Sequence, residues 1–115
     1  MKRIAIVLFD GFDELDAIGP YEVLNNACEL GADWTIRFVA SEPGRPVVGG
    51  HGIRVLADGG FEEPADLVIV PGGGWNEQTP RGAWAEVERG DLPAALRGMG
   101  ERGSAFASVC TGAMV

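Results

Sequence analysis

The segment "AFASVCTGAMV", residues 105–115, changes character at its middle. Residues 105–109 make an apolar run suited to a strand, and small residues take over around Cys110. A nucleophile held at the tip of a strand needs this pattern. The chain must turn sharply into a helix, and only small residues two positions to either side avoid a clash. Ser108 and Gly112 hold those positions. A helix following the turn would set its positive end beside the sulfur. The competing reading is a packed core cysteine at a tight turn, and the local pattern does not separate the two.

An elbow of this kind needs a parallel sheet around it, and the rest of the chain supplies one. Residues 3–9 are aliphatic without polar alternation, as in a strand buried on both faces. "DGFDELDAIGP", residues 10–20, follows as an acidic loop, and Pro20 suits the first turn of a helix that runs to about Leu30 and stops at Gly31. Residues 34–40 read as a second strand, and residues 46–58 as a hairpin around a glycine-rich turn. "LVIV", residues 67–70, is a further buried strand. Thr79–Pro80 begin a short helix carrying Trp84 and Val87 and closed by Gly90. Asp91 then caps a helix with Leu92, Leu96 and Met99 on one stripe, ending near Gly103. Buried strands alternating with amphipathic helices predict an α/β fold, a doubly wound, mostly parallel, flavodoxin-like sheet with helices on both faces. The five residues after Cys110 open a helix that has no body. The expectation is therefore a single domain of which residues 1–115 are the N-terminal portion, the remainder completing the sheet. Cover by an oligomeric partner is the alternative.

Composition narrows the function. At 115 residues with 46% hydrophobic and 23% charged residues, the chain reads as one globular domain. A net charge of −8 argues against direct contact with nucleic acid, which needs a basic face. No apolar run approaches the roughly 20 residues that span a bilayer. The opening "MKRIAIVLFDGF" is no signal peptide, because its apolar stretch is short and Asp10 follows at once. A cytoplasmic protein without membrane contact is expected. Two cysteines make no disulfide framework. Cys28 shares a helical face with Leu24, Ala27 and Gly31 and reads as a buried, inert thiol. His51, the sole histidine, sits in "GGHG" and has no assigned role. No cluster has zinc-ligand spacing, so neither metal nor cofactor is expected.

Two further stretches bear on the cysteine. "VIVPGGGW" also ends a strand, so in a parallel sheet its loop emerges on the edge where ligands bind. The N–H of Gly73, paired with that of Thr111, could make an oxyanion hole. A phosphate loop is the weaker idea, since neither G-x-x-x-x-G-K-[ST] nor G-x-G-x-x-G is present. The third stretch is the loop after the first strand, with Asp10, Asp13, Glu14 and Asp16 within seven positions. One carboxyl could reach the thiol and share a proton with it, but composition does not choose which.

Together, "VLFDGFDELDAIGPYEVL" (7–24), "LVIVPGGG" (67–74) and "SVCTGA" (108–113) resemble the ThiJ/PfpI superfamily, of class I glutamine amidotransferase-like fold. Within it, "LDAIGPYEVL" is similar to the loop of isonitrile hydratases. That resemblance implies Cys110 as nucleophile, Asp16 as catalytic acid, Thr111 as its neighbour in the site and Gly73 as the backbone oxyanion donor. It implies a hydro-lyase that converts an isonitrile to an N-substituted formamide, acting as a homodimer on a small molecule. Phe12, Gly74 and Trp75 lie beside these residues and are candidates for the substrate wall. Many superfamily members also use a histidine after the elbow, which has no counterpart here.

Two other functions fit the resemblance. Similar domains form the sensor half of AraC-type transcription regulators, where a helix-turn-helix would follow. Stress-response members are credited with glyoxalase, deglycase, chaperone or protease-like activity. They typically carry glutamate where this chain has Asp16, and that departure counts against them.

Overall fold

The structure, a computed structural model, describes all residues from 1 to 115. In chain order the elements are β1 (Lys2–Val7), α1 (Glu14–Glu29), β2 (Trp34–Val39), β3 (Val47–Val48), β4 (Arg54–Val55), β5 (Leu67–Val70), α2 (Ala83–Arg89), α3 (Asp91–Glu101) and β6 (Ala105–Ser108). A 3₁₀ turn over Cys110–Met114 follows β6.

The four apolar runs form one sheet in the order β2-β1-β5-β6, every neighbouring pair parallel. Ile6 lies between Phe38 of β2 and Ile69 of β5. β1 and β5 are therefore central, and Ile6, Val7 and Val68 are fully buried. From β1 the chain steps to β2 on one side, and from β5 to β6 on the other. Right-handed crossovers in opposite directions place α1 and α3 on opposite faces of the sheet. The order reverses between β1 and β5, and in open α/β sheets ligands bind in the crevice at such a point, beyond the strands' C-terminal ends. β3 and β4 pair separately as the expected antiparallel hairpin. Neither helix flanking the sheet nor any other is long and apolar enough to cross a membrane.

Three boundaries differ from the sequence reading. α1 starts at Glu14 rather than near Pro20, so most of the expected acidic loop is helical. Asp13 caps it by accepting from the Leu15 N–H at 3.1 Å, and Glu14 and Asp16 suit the positive end of the helix. Pro20 thus lies inside the helix, where its missing N–H leaves the Asp16 carbonyl without an i+4 donor. α2 begins after Gly82 and not at Thr79–Pro80. Gly90, left-handed at φ 81°, both ends α2 and caps α3, so Asp91 is the first helical residue and not the cap. Cys28 is half-buried rather than sealed, its Sγ donating to the Trp34 carbonyl at 3.3 Å. All four residues of edge strand β6 are exposed.

Candidate active site at the strand switch point

The elbow has the geometry its spacing predicts. β6 ends at Ser108, Val109 remains extended, and Cys110 adopts φ 54° as the first residue of the 3₁₀ turn. A side chain in this left-handed region costs about 1–2 kcal/mol. The cost leaves Cys110 exposed at the tip of the strand. Gly112 lies within the turn, and a Cβ there would collide with the Val70 carbonyl oxygen.

The loop after β5 is wedged between this elbow and the start of α1. Gly72 donates its N–H to Asp16 Oδ2 at 3.2 Å and accepts from the Asp13 N–H at 2.7 Å. On its other side, a Cβ on Gly72 would stand 2.5 Å from Thr111 Oγ1 and 2.7 Å from Thr111 N. Gly73, at φ 135°, packs as tightly, since its Cβ would lie 2.5 Å from the Gly11 carbonyl oxygen. One glycine therefore touches both the carboxyl of α1 and the backbone that follows the cysteine. Sequence reasoning passed over Gly72, although the run "PGGG" was the signal for it.

The four acids of the first loop divide their work. Asp10 accepts from the Val48 N–H at 3.1 Å and faces Arg45. Asp13 caps α1. Glu14 is buried and turns to His51. Of the four carboxyls, only that of Asp16 bonds to the glycine loop. Its partial burial pushes the carboxyl above the ordinary 3.8, the Gly72 N–H pulls it back, and the negative charge of Asp13 pushes it up again. The net rise keeps a proton on Asp16 to higher pH than an exposed aspartate would hold.

Three expectations change. Gly73 is not a free oxyanion donor, because its N–H donates to Thr111 Oγ1 at 3.1 Å. The N–H groups of Gly74, Cys110 and Thr111 make no hydrogen bond within the fold, so the open donors lie at the elbow and one residue further along the loop. Phe12 is fully buried in the core and forms no substrate wall. Trp75 is half-buried and packs against that core as well. Gly74 does border open space. It helps to line a cleft of about 500 Å³ together with Gly11, Asp13, His51, Thr79 and Arg81, where Pro80 is the one apolar side chain and neither Cys110 nor Asp16 forms part of the wall.

His51 gains a part that the sequence did not assign. Its ring Nδ1 lies 2.8 Å from Glu14 Oε1, and its N–H donates to Glu14 Oε2 at 2.6 Å. Gly49 makes room for that carboxylate, since a Cβ there would sit 2.6 Å from Oε2. Burial pushes the Glu14 carboxyl up, but the bonds from the His51 ring and from the backbone N–H groups of His51 and Ile53 outweigh it and hold it below 4.5. The same carboxylate raises His51 above 6.5. No group of three His, Cys, Asp or Glu side chains is gathered so as to hold a metal ion.

The family model described as DJ-1/PfpI matches residues 2–115, from the start of β1 through the elbow. This chain belongs to the DJ-1/PfpI family. A protein of the cpoL 5′ region of Streptomyces lividans is 36% identical over 115 residues, covering 98% of this chain and 76% of its own length. A Staphylococcus epidermidis protein is 30% identical over 76 residues, covering 63% of this chain and 41% of that one. A cysteine-to-alanine mutant of a DJ-1 superfamily protein from Salmonella typhimurium shares the fold with TM-score 0.76 at 24% identity, over 98% of this chain and 57% of that one. A ThiJ/PfpI family protein from Pseudomonas syringae matches with TM-score 0.80 at 22% identity, over 98% and 43%. At these identities the solved structures speak for the fold alone. This chain spans about half the length of either solved protein.

Proposed function

We propose that the chain carries a cysteine-nucleophile hydratase centre in which Cys110 and Asp16 hydrate an isonitrile. The observation that carries the reading is Gly72, which binds the Asp16 carboxyl by its N–H and packs against Thr111 next to the cysteine. In the first step the Cys110 thiolate attacks the terminal isonitrile carbon, a C–S bond forms, and Asp16 gives that carbon its proton. The product is a thioimidate. Water then adds across its C=N bond, the hydroxyl to carbon and the second proton to nitrogen by way of the Asp16 carboxylate. Collapse breaks the C–S bond, returns the hydroxyl proton to Asp16 and releases the N-substituted formamide. A carboxyl whose proton affinity is raised suits both roles.

The polar cleft beside Gly73 and Gly74, which neighbours Cys110 and Asp16 without being lined by them, supports a second substrate class for those two residues, a small polar carbonyl compound of the glyoxalase type. The two are separated by turnover of cyclohexyl isocyanide against methylglyoxal. Isonitrile hydration is expected, falling to background in Cys110→Ala and by roughly 10²–10⁴-fold in Asp16→Asn. Full activity in either variant overturns the mechanism, and turnover of methylglyoxal alone moves the assignment to the second class.

A further inference from the structure

A separate cavity of about 530 Å³ opens beyond the ends of β1 and β2, under α2 and α3, and neither Cys110 nor Asp16 lines it. Its volume falls within the range of small-molecule sites. Apolar side chains make part of the wall, among them Phe9, Phe61, Val47 and Leu92. The rest is charged, with four carboxylates and two guanidiniums. Both guanidiniums are already engaged, Arg45 by Glu42 and Asp10, and Arg89 by Glu86.

Glu86 is the unusual group. It is 6% exposed, and only its Oε2 has a partner, Arg89. No side-chain oxygen of the fold is both sealed from solvent and without a hydrogen bond, so Oε1 keeps some exposure, and Glu86 is one of the residues that line the cavity. Asp91, at the first position of α3, has no side-chain partner either. Burial pushes the Glu86 carboxyl up, Arg89 opposes this, and Asp10 and Asp91 add to the rise. The surplus in the cavity is thus of acceptors, and its shortage is of positive charge.

We propose that this cavity binds a small organic ammonium ion, its cation on Glu86 between Asp10 and Asp91 and its apolar body against Phe9, Phe61 and Leu92. The site is independent of the cysteine centre. Calorimetric titration of the 115-residue chain with phenethylammonium, 2-phenylethanol and 3-phenylpropanoate tests it. The ammonium ion is expected to bind saturably, roughly tenfold or more tightly than the alcohol, and the carboxylate not at all. Glu86→Gln should weaken the ammonium ion by about tenfold or more. Ala95→Trp, which fills the cavity from α3 and leaves Glu86 in place, should abolish binding. Cys110→Ala should not change it. Absence of ammonium binding, equal binding of the alcohol, or retained binding in a folded Ala95→Trp protein would each overturn the proposal, whether or not Glu86→Gln folds.

Discussion

At the scale of single residues, Cys110 holds a conformation its side chain disfavours, and stability is given up there. Cys110→Gly is therefore expected to unfold in urea at about 1 kcal/mol greater stability than Cys110→Ala, which keeps the Cβ. Both variants should lack thiol-dependent activity. Gly112→Ala drives a methyl into the Val70 carbonyl and should cost about 2–3 kcal/mol in the same assay. Asp13 raises the proton affinity of Asp16, so Asp13→Asn, whose amide still caps α1, should lower the Asp16 midpoint followed by carboxyl carbon NMR. The elbow was legible in the sequence because its steric demand is local, two small residues about one cysteine. The oxyanion donor was not. Whether the Gly73 N–H is free depends on the Thr111 hydroxyl, which comes from 38 residues away. The burial of Phe12 was hidden for the same reason, since its neighbours are set only by the sheet.

At the scale of elements, the β3–β4 hairpin is tied to the first turn of α1 by Glu14 and His51. The two groups titrate in opposite senses. His51, raised in the fold, contributes stability that is complete below about 6.5 and is lost as pH rises through its raised value. Glu14, lowered in the fold, contributes stability that is complete above about 4.5 and is lost as pH falls through its lowered value. The tie is firmest between them. His51→Leu should therefore cost more stability near pH 5.5 than near pH 9, read from urea denaturation of both proteins at each pH. An equal cost at both would show that the ring's charge plays no part. Apolar runs and glycine punctuation marked the hairpin and the strands correctly. The start of α1 was misread because Pro20 is a stronger cue than Asp13, although D-E-x-D before an apolar helix face is itself a cap signal.

At the scale of the molecule, the strand order β2-β1-β5-β6 brings residues 16, 72 and 110 to one edge, and no local pattern encodes that order. Strand alternation with helices was enough to predict a parallel sheet, and right-handed crossovers limit its topologies to a few. Which runs become central follows from pairing. Hydrogen exchange should reflect it, with amides of Ile6 and Val68 among the last to exchange and those of the exposed edge strand β6 among the first.

The union of sulfur and carboxyl in one reaction is tested most directly by mass spectrometry of the protein quenched during turnover of an isonitrile, with peptide mapping of the adduct. The expected adduct is one isonitrile on Cys110, forming about 10²–10⁴-fold more slowly in Asp16→Asn, with Cys28 unmodified as an internal control. Adduct formation at an undiminished rate in Asp16→Asn, or on Cys28 instead, would contradict it.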